Sequence, residues 1–243
     1  MRLFTTVGQL LFILAPTLLF ARLLNRRWSE VFWWKIPSFR ETAFMILGLI
    51  SLQQLLEVYL FVQDLIPLPE PLQKILGSMR DMYREMLKNV VKAESIPELM
   101  VVISIAAVVP SFVEEMLFRG VVQKAMERAF QPLVAVLVTG VIFGAFHLDL
   151  FDVVPLIAIG CYLSFLRWRS KSIVLPIVAH FLNNLAAVIS VYMGMGYETK
   201  LSTTELGISN TIAAVTQTVA FGGLFALSLR AYLRTTELNQ TTT

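Results

Sequence analysis

Long uninterrupted apolar runs dominate the chain and determine the structure that it predicts. They occupy about seven stretches separated by polar or basic residues, at residues 4–20, 41–62, 97–113, 133–148, 153–166, 173–193 and 208–229. A helix that crosses a bilayer needs roughly 20 mostly apolar residues, whereas the strands of a transmembrane barrel alternate polar and apolar residues. The pattern therefore predicts an all-α fold, a polytopic transmembrane helix bundle of about seven spans.

The segment between the second and third spans has a different pattern. Pro67, Pro69 and Pro71 end the second span. Over residues 72–91, apolar residues recur at helical spacing and charged residues fill the other positions. This spacing predicts an amphipathic helix that lies on the membrane surface or packs over the bundle.

We expect one membrane domain with three parts. Residues 1–97 hold the N-terminal spans and the amphipathic segment, and residues 98–194 hold the core spans. Residues 195–243 hold a loop and the last span.

Composition and charge support a membrane protein and exclude other classes. Of the 243 residues, 56% are hydrophobic and 15% are charged, whereas a soluble domain has about 25% charged residues. The net charge is +3, but no clustered basic face is present, so we expect no nucleic-acid partner. Most arginines follow spans 1, 3, 5 and 7, which predicts an external N-terminus and a cytoplasmic C-terminus.

Ionisable residues inside the apolar runs are the candidate functional groups, because such residues are costly in a bilayer and mark function by default. Glu114, Glu115 and Arg119 lie in the third apolar run. Glu115 and Arg119 are four residues apart and can pair on one helix face. Glu114 then points about 100° away and is left for another partner.

Both histidines of the chain also lie inside spans. His147 ends the fourth span, and His180 shares a helix face with Asn184 in the sixth. A lone buried histidine is more often structural. Here both histidines of the chain lie in spans, and together with the Glu-Glu-Arg set they favour a functional site. At ~1.5 Å per residue, Glu114 and His147 lie ~21 and ~22 Å from the cytoplasmic ends of their helices, and His180 lies only ~12 Å deep. His180 therefore reaches them only if its helix starts deeper, the helices tilt or the site is a broad cavity.

Small residues precede His147 on the same span. Gly140 and Gly144 form a Gly-x-x-x-Gly pair on roughly the face of His147. Small residues at this spacing let helices approach closely, so we expect tight helix packing that also brings His147 near its partners.

Two hydrolytic chemistries fit these residue types. A glutamate with a histidine can activate water as a general base, while a second histidine and an asparagine donate hydrogen bonds to a developing oxyanion. Alternatively, Glu114, His147 and His180 are a plausible set of zinc ligands with water in the open position. The residues alone leave both chemistries open.

In combination, the motifs resemble those of the CPBP family (CAAX protease and bacteriocin-processing, also called Abi), which are intramembrane proteases. The family pattern is Glu-Glu-x-x-x-Arg, then Phe-x-x-x-His, then His-x-x-x-Asn or Asp. This chain matches it with Glu114-Glu115-x-x-x-Arg119, Phe143-x-x-x-His147 and His180-x-x-x-Asn184. The resemblance covers about residues 98–190.

The resemblance implies a role for each matched residue. Glu114 and His147 would activate the water, and His180 and Asn184 would steady the oxyanion. The remaining motif residues would support the site: Glu115, Arg119 and Phe143.

The resemblance also implies the class of substrate. It indicates an endopeptidase that acts on prenylated CAAX-type or other membrane-associated peptides, in contact with membrane lipid. The compact size and the lack of sorting signals predict a prokaryotic cytoplasmic membrane. The cofactor is unknown, with zinc as one possibility.

Other functions compete with this interpretation. A non-catalytic immunity or peptide-binding module of the same fold would use the polar cluster for binding or folding. A transporter is disfavoured because the chain has neither an inverted repeat nor paired broken helices.

Overall fold

The computed structural model describes residues 2–24, 27–67, 69–195 and 208–241, and the regular elements in these ranges are helices. The first helix, α1, is continuous over Arg2–Gly8, Gln9–Leu14 and Ala15–Leu24. The others are α2 (Trp28–Phe32), α3 (Phe39–Asp64), α4 (Glu70–Val91), α5 (Ile96–Ala129), α6 (Pro132–Phe146), α7 (Val153–Ser170), α8 (Val174–Tyr192) and α9 (Ile208–Thr241).

The predicted all-α polytopic bundle is confirmed. Each of the seven predicted spans falls in a separate helix, namely α1, α3, α5, α6, α7, α8 and α9. Within the described ranges, five of these, α1, α3, α5, α8 and α9, are long and apolar enough to cross a membrane. The predicted fourth and fifth spans are shorter or more polar: α6 has 15 residues, and α7 has 18 and ends with Arg167 and Arg169.

The helices α6 and α7 pack backbone to backbone through glycine. A Cβ atom on Gly140 would lie 2.6 Å from the backbone nitrogen of Cys161, and one on Gly144 would lie 2.8 Å from that of Ile157. Any larger residue would push the two helices apart. The predicted close packing at Gly140 and Gly144 is therefore confirmed, and the structure identifies α7 as the partner helix.

The main apolar core lies between α3, α7, α8 and α9. Tyr162 of α7 is buried there, and its hydroxyl donates to the carbonyl oxygen of Met45 over 2.8 Å. A Cβ on Gly48 of α3 would lie 3.2 Å from the Tyr162 ring, so only glycine leaves room for that ring. Because lipid is as apolar as these side chains, such close packing and interhelical hydrogen bonds hold the helices together.

Two π-helical segments interrupt α5, at Ser104–Val108 and Met116–Val122. Pro110 lies just after the first segment, and a proline has no N–H to donate to the helical ladder. The α-helical segment between them, Val109–Glu115, ends with the two candidate carboxylates. Such π segments occur often at functional sites, where they redirect the side chains of one turn.

The amphipathic helix predicted over residues 72–91 is present as α4. Its middle is tied to the bundle by Arg80, which pairs with Asp64 of α3 at 2.8 Å and lies 4.8 Å from the ring centroid of Phe151. Its remaining apolar side is exposed along one stripe: Leu72, Ile75, Met79, Met82 and Met86.

Candidate functional site

The two adjacent carboxylates of α5 lie in the interior of the bundle. The Glu115 side chain is fully buried, and the Glu114 side chain is 12% exposed. They project in different directions because consecutive helical residues are about 100° apart. As the sequence predicts, the two glutamates therefore make different contacts.

Glu115 forms a fully buried ion pair with Arg119. The Arg119 Nη1 donates to Glu115 Oε1 over 2.7 Å, and its Nη2 donates to the carbonyl oxygen of Gly160 on α7 over 2.9 Å. The guanidinium also lies 4.5 Å from the ring centroid of Phe143. A buried ion pair repays its desolvation only when further hydrogen bonds accompany it, and here Gly160 supplies one from a second helix.

His180 is oriented by the same carboxylate. Its Nδ1 lies 2.9 Å from Glu115 Oε1, which can only accept when ionised, so we assign the Nδ1 proton to this bond. The Nε2 of His180 then faces Glu114 Oε2 at 4.0 Å. Glu115 thus sets the direction in which the His180 ring points.

His147 is oriented by its own helix. Its Nδ1 lies 2.8 Å from the carbonyl oxygen of Phe143, which can only accept, so we assign a proton to this nitrogen as well. The Nε2 of His147 lies 3.7 Å from Glu114 Oε2. In a neutral imidazole that Nε2 carries a lone pair.

Three acceptor atoms therefore converge on one point: Glu114 Oε2 and the Nε2 atoms of His147 and His180. Glu114 Oε2 is buried and has no hydrogen-bond partner within the described part of the chain. A buried acceptor without a donor is costly. The arrangement suits a proton donor such as water, and the His147 side chain beside Glu114 is 26% exposed.

Phe143 fills the space between these groups. Its ring centroid lies 4.7 Å from that of His147 and 5.7 Å from that of His180, the latter in an edge-to-face contact. The ring thus contacts the Arg119 guanidinium as well as both imidazoles. The sequence predicts Phe143 as a supporting residue, and the structure places it against both histidines.

Among the described residues, Asn184 forms no hydrogen bond or ion pair with the cluster. It lies one turn beyond His180 on α8, and its Oδ1 accepts a hydrogen bond from Asn183 over 3.3 Å. Asn183 is in turn held by Gln53 of α3, whose Nε2 donates to Asn183 Oδ1 over 3.1 Å. The structure therefore brings together six of the seven predicted site residues and leaves Asn184 about 6 Å further along its helix.

The start of α8 resolves the apparent difference in depth. Ser172 and Ile173, which precede the helix, are fully buried. The Ile173 N–H donates to the carbonyl oxygen of Trp33 over 3.1 Å, and the Ser172 hydroxyl donates to that of Lys35. Since the linker after α2 covers this end, α8 starts inside the protein, and His180 reaches the level of Glu114.

A ladder of polar contacts joins α5 to α7, and the three motifs do not predict it. Below the Arg119–Gly160 bond, Gln123 Nε2 donates to the carbonyl oxygen of Ser164 over 3.0 Å. One turn further, Glu127 pairs with Arg167 at 3.4 Å. The regular spacing of Glu115, Arg119, Gln123 and Glu127, each four residues from the next, is the sequence signal that could have revealed it.

The donor types of the cluster match zinc, but their arrangement does not. Tetrahedral ligands at about 2.1 Å from zinc lie roughly 3.4 Å apart, and the two Nε2 atoms lie 3.7 and 4.0 Å from Glu114 Oε2. Among the described residues, no group of three or more His, Cys, Asp or Glu side chains is arranged to hold a metal ion.

The fold and the site define a polytopic membrane protein that holds a carboxylate–histidine cluster in its interior. Residues 96–186 match the family model described as "Type II CAAX prenyl endopeptidase Rce1-like". A curated Bacillus subtilis (strain 168) protein, named "Putative membrane peptidase YdiL", is 35% identical over 91 residues. The resemblance to CPBP-family proteases, drawn from the three motifs, is thus confirmed.

The similarity is confined to the core of the chain. The matched segment spans 37% of this chain and 36% of the curated relative. No solved structure matches the chain. The apolar helices and the match to a membrane peptidase together make this an integral membrane protein.

Proposed function

We propose that the chain is an intramembrane endopeptidase that hydrolyses peptide bonds with a water molecule activated by Glu114 and His147. The observation that carries the proposal is the approach of His147 Nε2 and His180 Nε2 to Glu114 Oε2, at 3.7 and 4.0 Å. The match to a peptidase family over the same helices supports it.

Water activation is the first step. A water molecule at the convergence point donates one hydrogen bond to Glu114 Oε2 and one to His147 Nε2, because both atoms accept. As the water oxygen bonds to the substrate carbonyl carbon, one water proton passes to the Glu114 carboxylate. The carbonyl π electrons move to oxygen and form a tetrahedral oxyanion.

The oxyanion needs hydrogen-bond donors. His180 becomes a hydrogen-bond donor when its Nε2 carries a proton, and the Glu115 carboxylate at its Nδ1 stabilises that imidazolium. Asn184 becomes a second when its amide turns from Asn183 toward the substrate. Donors aimed at a developing charge in a water-poor site contribute strongly to catalysis.

Collapse of the intermediate completes the reaction. The oxyanion electrons reform the carbonyl, the carbon–nitrogen bond breaks, and the proton held by Glu114 passes to the leaving amine. The products are one carboxyl terminus and one amino terminus, and Glu114 is returned to its ionised state. The buried Glu115–Arg119 pair keeps its geometry throughout and holds His180 in place.

We place this activity in a prokaryotic cytoplasmic membrane, with the catalytic core at residues 98–194. The substrate is a membrane-associated peptide or lipidated protein, of which prenylated CAAX-type chains are one class. The match to a family model of type II CAAX prenyl endopeptidases supports this substrate class.

The deciding experiment compares new peptide termini in host membranes that contain matched amounts of the wild type, Glu114→Gln or Glu98→Gln. Glu98 is a matched control because it lies on the same helix but is part-exposed and pairs with Arg2. We expect termini that appear with wild type and Glu98→Gln and are absent with Glu114→Gln.

Termini that persist with Glu114→Gln would remove the proposed mechanism. If the wild type produces no new termini, and both the wild type and Glu114→Gln bind the same peptide partner, the chain is instead a non-catalytic immunity or peptide-binding module.

A further inference from the structure

Three cations surround a single tryptophan at the end of the bundle opposite Arg2. The Arg167 guanidinium lies 4.6 Å from the ring centroid of Trp33, the Lys171 Nζ 5.2 Å and the Lys124 Nζ 5.5 Å. They come from α7, from the residue after α7 and from α5, while Trp33 follows α2. We call these four residues the Trp33 cluster.

The Trp33 cluster carries more positive than negative charge. One acidic neighbour is Glu127, whose Oε1 lies 3.4 Å from the Arg167 Nη1. Lys124 donates to the backbone carbonyl of Glu30, which is uncharged. The carboxylates of Glu127 and Glu30 both act on Lys124, and Arg167 and Arg128 oppose them, so the three cations of the cluster still outnumber its acidic neighbours. Partial burial lowers the pKa of Lys171; Glu127 opposes this shift, and Arg167 adds to it.

Arg167 shows that the charge is not satisfied within the protein. Its side chain is fully buried, yet its Nε and Nη2 have no hydrogen-bond partner in the described part of the chain. A buried guanidinium with two unpaired nitrogens is costly unless an anion or other acceptor compensates it. The contact with the Trp33 ring compensates part of this cost.

The backbone of the cluster is also constrained. Trp33 and Lys171 have positive φ angles of 43° and 53°, and Leu148 is the one other non-glycine residue with this conformation in the described ranges. Bulky residues rarely adopt it and persist there only where surrounding contacts hold them. Here the Trp33 carbonyl accepts a hydrogen bond from the Ile173 N–H, which ties the backbone at Trp33 to the linker that contains Lys171.

We propose that the Trp33 cluster binds a phosphate group, carried by an anionic lipid headgroup or by a free phosphate. Lys124 and Lys171 contact the phosphate, and the buried Arg167 beneath the indole adds to the positive potential. Arginine and lysine are the usual phosphate ligands, and basic pockets between membrane helices bind anionic headgroups. The proposal is independent of the catalytic cluster.

The position of the cluster favours lipid as the source of the phosphate. It lies at the end of the bundle where the loops are richest in lysine and arginine, which predicts the cytoplasmic leaflet. That leaflet holds the anionic phospholipids. Tryptophan prefers the depth of the headgroups, where a lipid phosphate would meet the two lysines.

The test measures the thermal unfolding midpoint of the full chain in neutral detergent while one additive is titrated. The additives are short-chain phosphatidylglycerol, short-chain phosphatidylcholine and inorganic phosphate. We expect phosphatidylglycerol to raise the midpoint and phosphatidylcholine to leave it unchanged. Lys124→Gln with Lys171→Asn should weaken the affinity for phosphatidylglycerol, read from the titration, by roughly fivefold per lysine.

The matched control is Lys74→Gln with Lys88→Gln, two exposed lysines of α4, which should keep the wild-type response. Lys171→Asn alone serves as a second variant if the double variant fails to fold. Asparagine adopts the left-handed backbone conformation of this position more readily than most residues. A shift with inorganic phosphate alone identifies a free phosphate as the ligand. Equal shifts with phosphatidylglycerol and phosphatidylcholine, an unchanged response in both Lys171 variants, or no shift with any additive would overturn the proposal.

Discussion

Arg119 on α5 donates a hydrogen bond to the carbonyl oxygen of Gly160 on α7 over 2.9 Å. Gly160 also packs closely against α6, since a Cβ there would lie 2.9 Å from the Gly140 carbonyl oxygen. One glycine therefore joins the helix of Glu114 and Glu115 to the helix that ends at His147. The geometry of the polar cluster depends on this three-helix contact.

Replacement of Gly160 tests this contact. In Gly160→Ala, the new methyl group would lie 2.9 Å from both the Gly140 carbonyl oxygen and the Phe143 ring, so α6 must shift. We expect a loss of about 1–3 kcal/mol in the free energy of unfolding, as overpacked cores show, measured by thermal unfolding in detergent. The control is Gly222→Ala on α9, where a Cβ meets nothing within 4 Å, and helix propensity there favours alanine by up to about 1 kcal/mol. Equal behaviour of the two variants would contradict the close contact.

Removal of the Arg119 side chain should strongly destabilise the protein. Arg119→Ala leaves the Glu115 carboxylate buried without its cation, which costs about 3–5 kcal/mol in comparable pairs. Denaturant titration in detergent measures this loss. The double variant Glu115→Gln with Arg119→Met leaves no buried charge at the pair and should be less destabilised than the single variant. A single variant that loses less than about 1 kcal/mol would show that the pair is hydrated.

The two neighbouring asparagines of α8 should differ in their effect on turnover. Asn184 shares the His180 face and matches the motif, whereas Asn183 bonds to Gln53 of α3. We expect Asn184→Ala to lower kcat roughly 100-fold, as removal of an oxyanion donor does, and Asn183→Ala to leave kcat unchanged. Cleavage of a substrate found by the terminus survey measures both. The reverse order of effects would assign the donor to Asn183.

Treatment with a zinc chelator should leave cleavage unchanged. The expectation rests on the separations of 3.7 and 4.0 Å between Glu114 Oε2 and the two Nε2 atoms, which exceed those around a tetrahedral zinc ion. The rate of the purified protein before and after chelation is the measurement. Activity that disappears with the chelator and returns with added zinc would show that the three side chains close around a metal.

The sequence by itself determines the helices and the kinds of groups in the site. Apolar runs of sufficient length specify membrane helices wherever they occur, and Pro67, Pro69 and Pro71 limit one of them without reference to any distant residue. The motif residues stand out because Glu114, His147 and His180 are ionisable groups in apolar runs. Each of these signals is local, so one sequence suffices to detect it.

Only the tertiary structure decides which atoms meet. The sequence leaves the depth of His180 unresolved, because that depth depends on the linker at Trp33 that covers the start of α8. The sequence also predicts close packing at Gly140 and Gly144 of α6, but it does not identify Gly160 of α7 as a partner. The carbonyl oxygen of Gly160 accepts the hydrogen bond from Arg119. These contacts join segments far apart in the chain, and their free energy comes from packing and hydrogen bonds between helices. No local pattern records which helix faces which, and that choice requires the folded bundle.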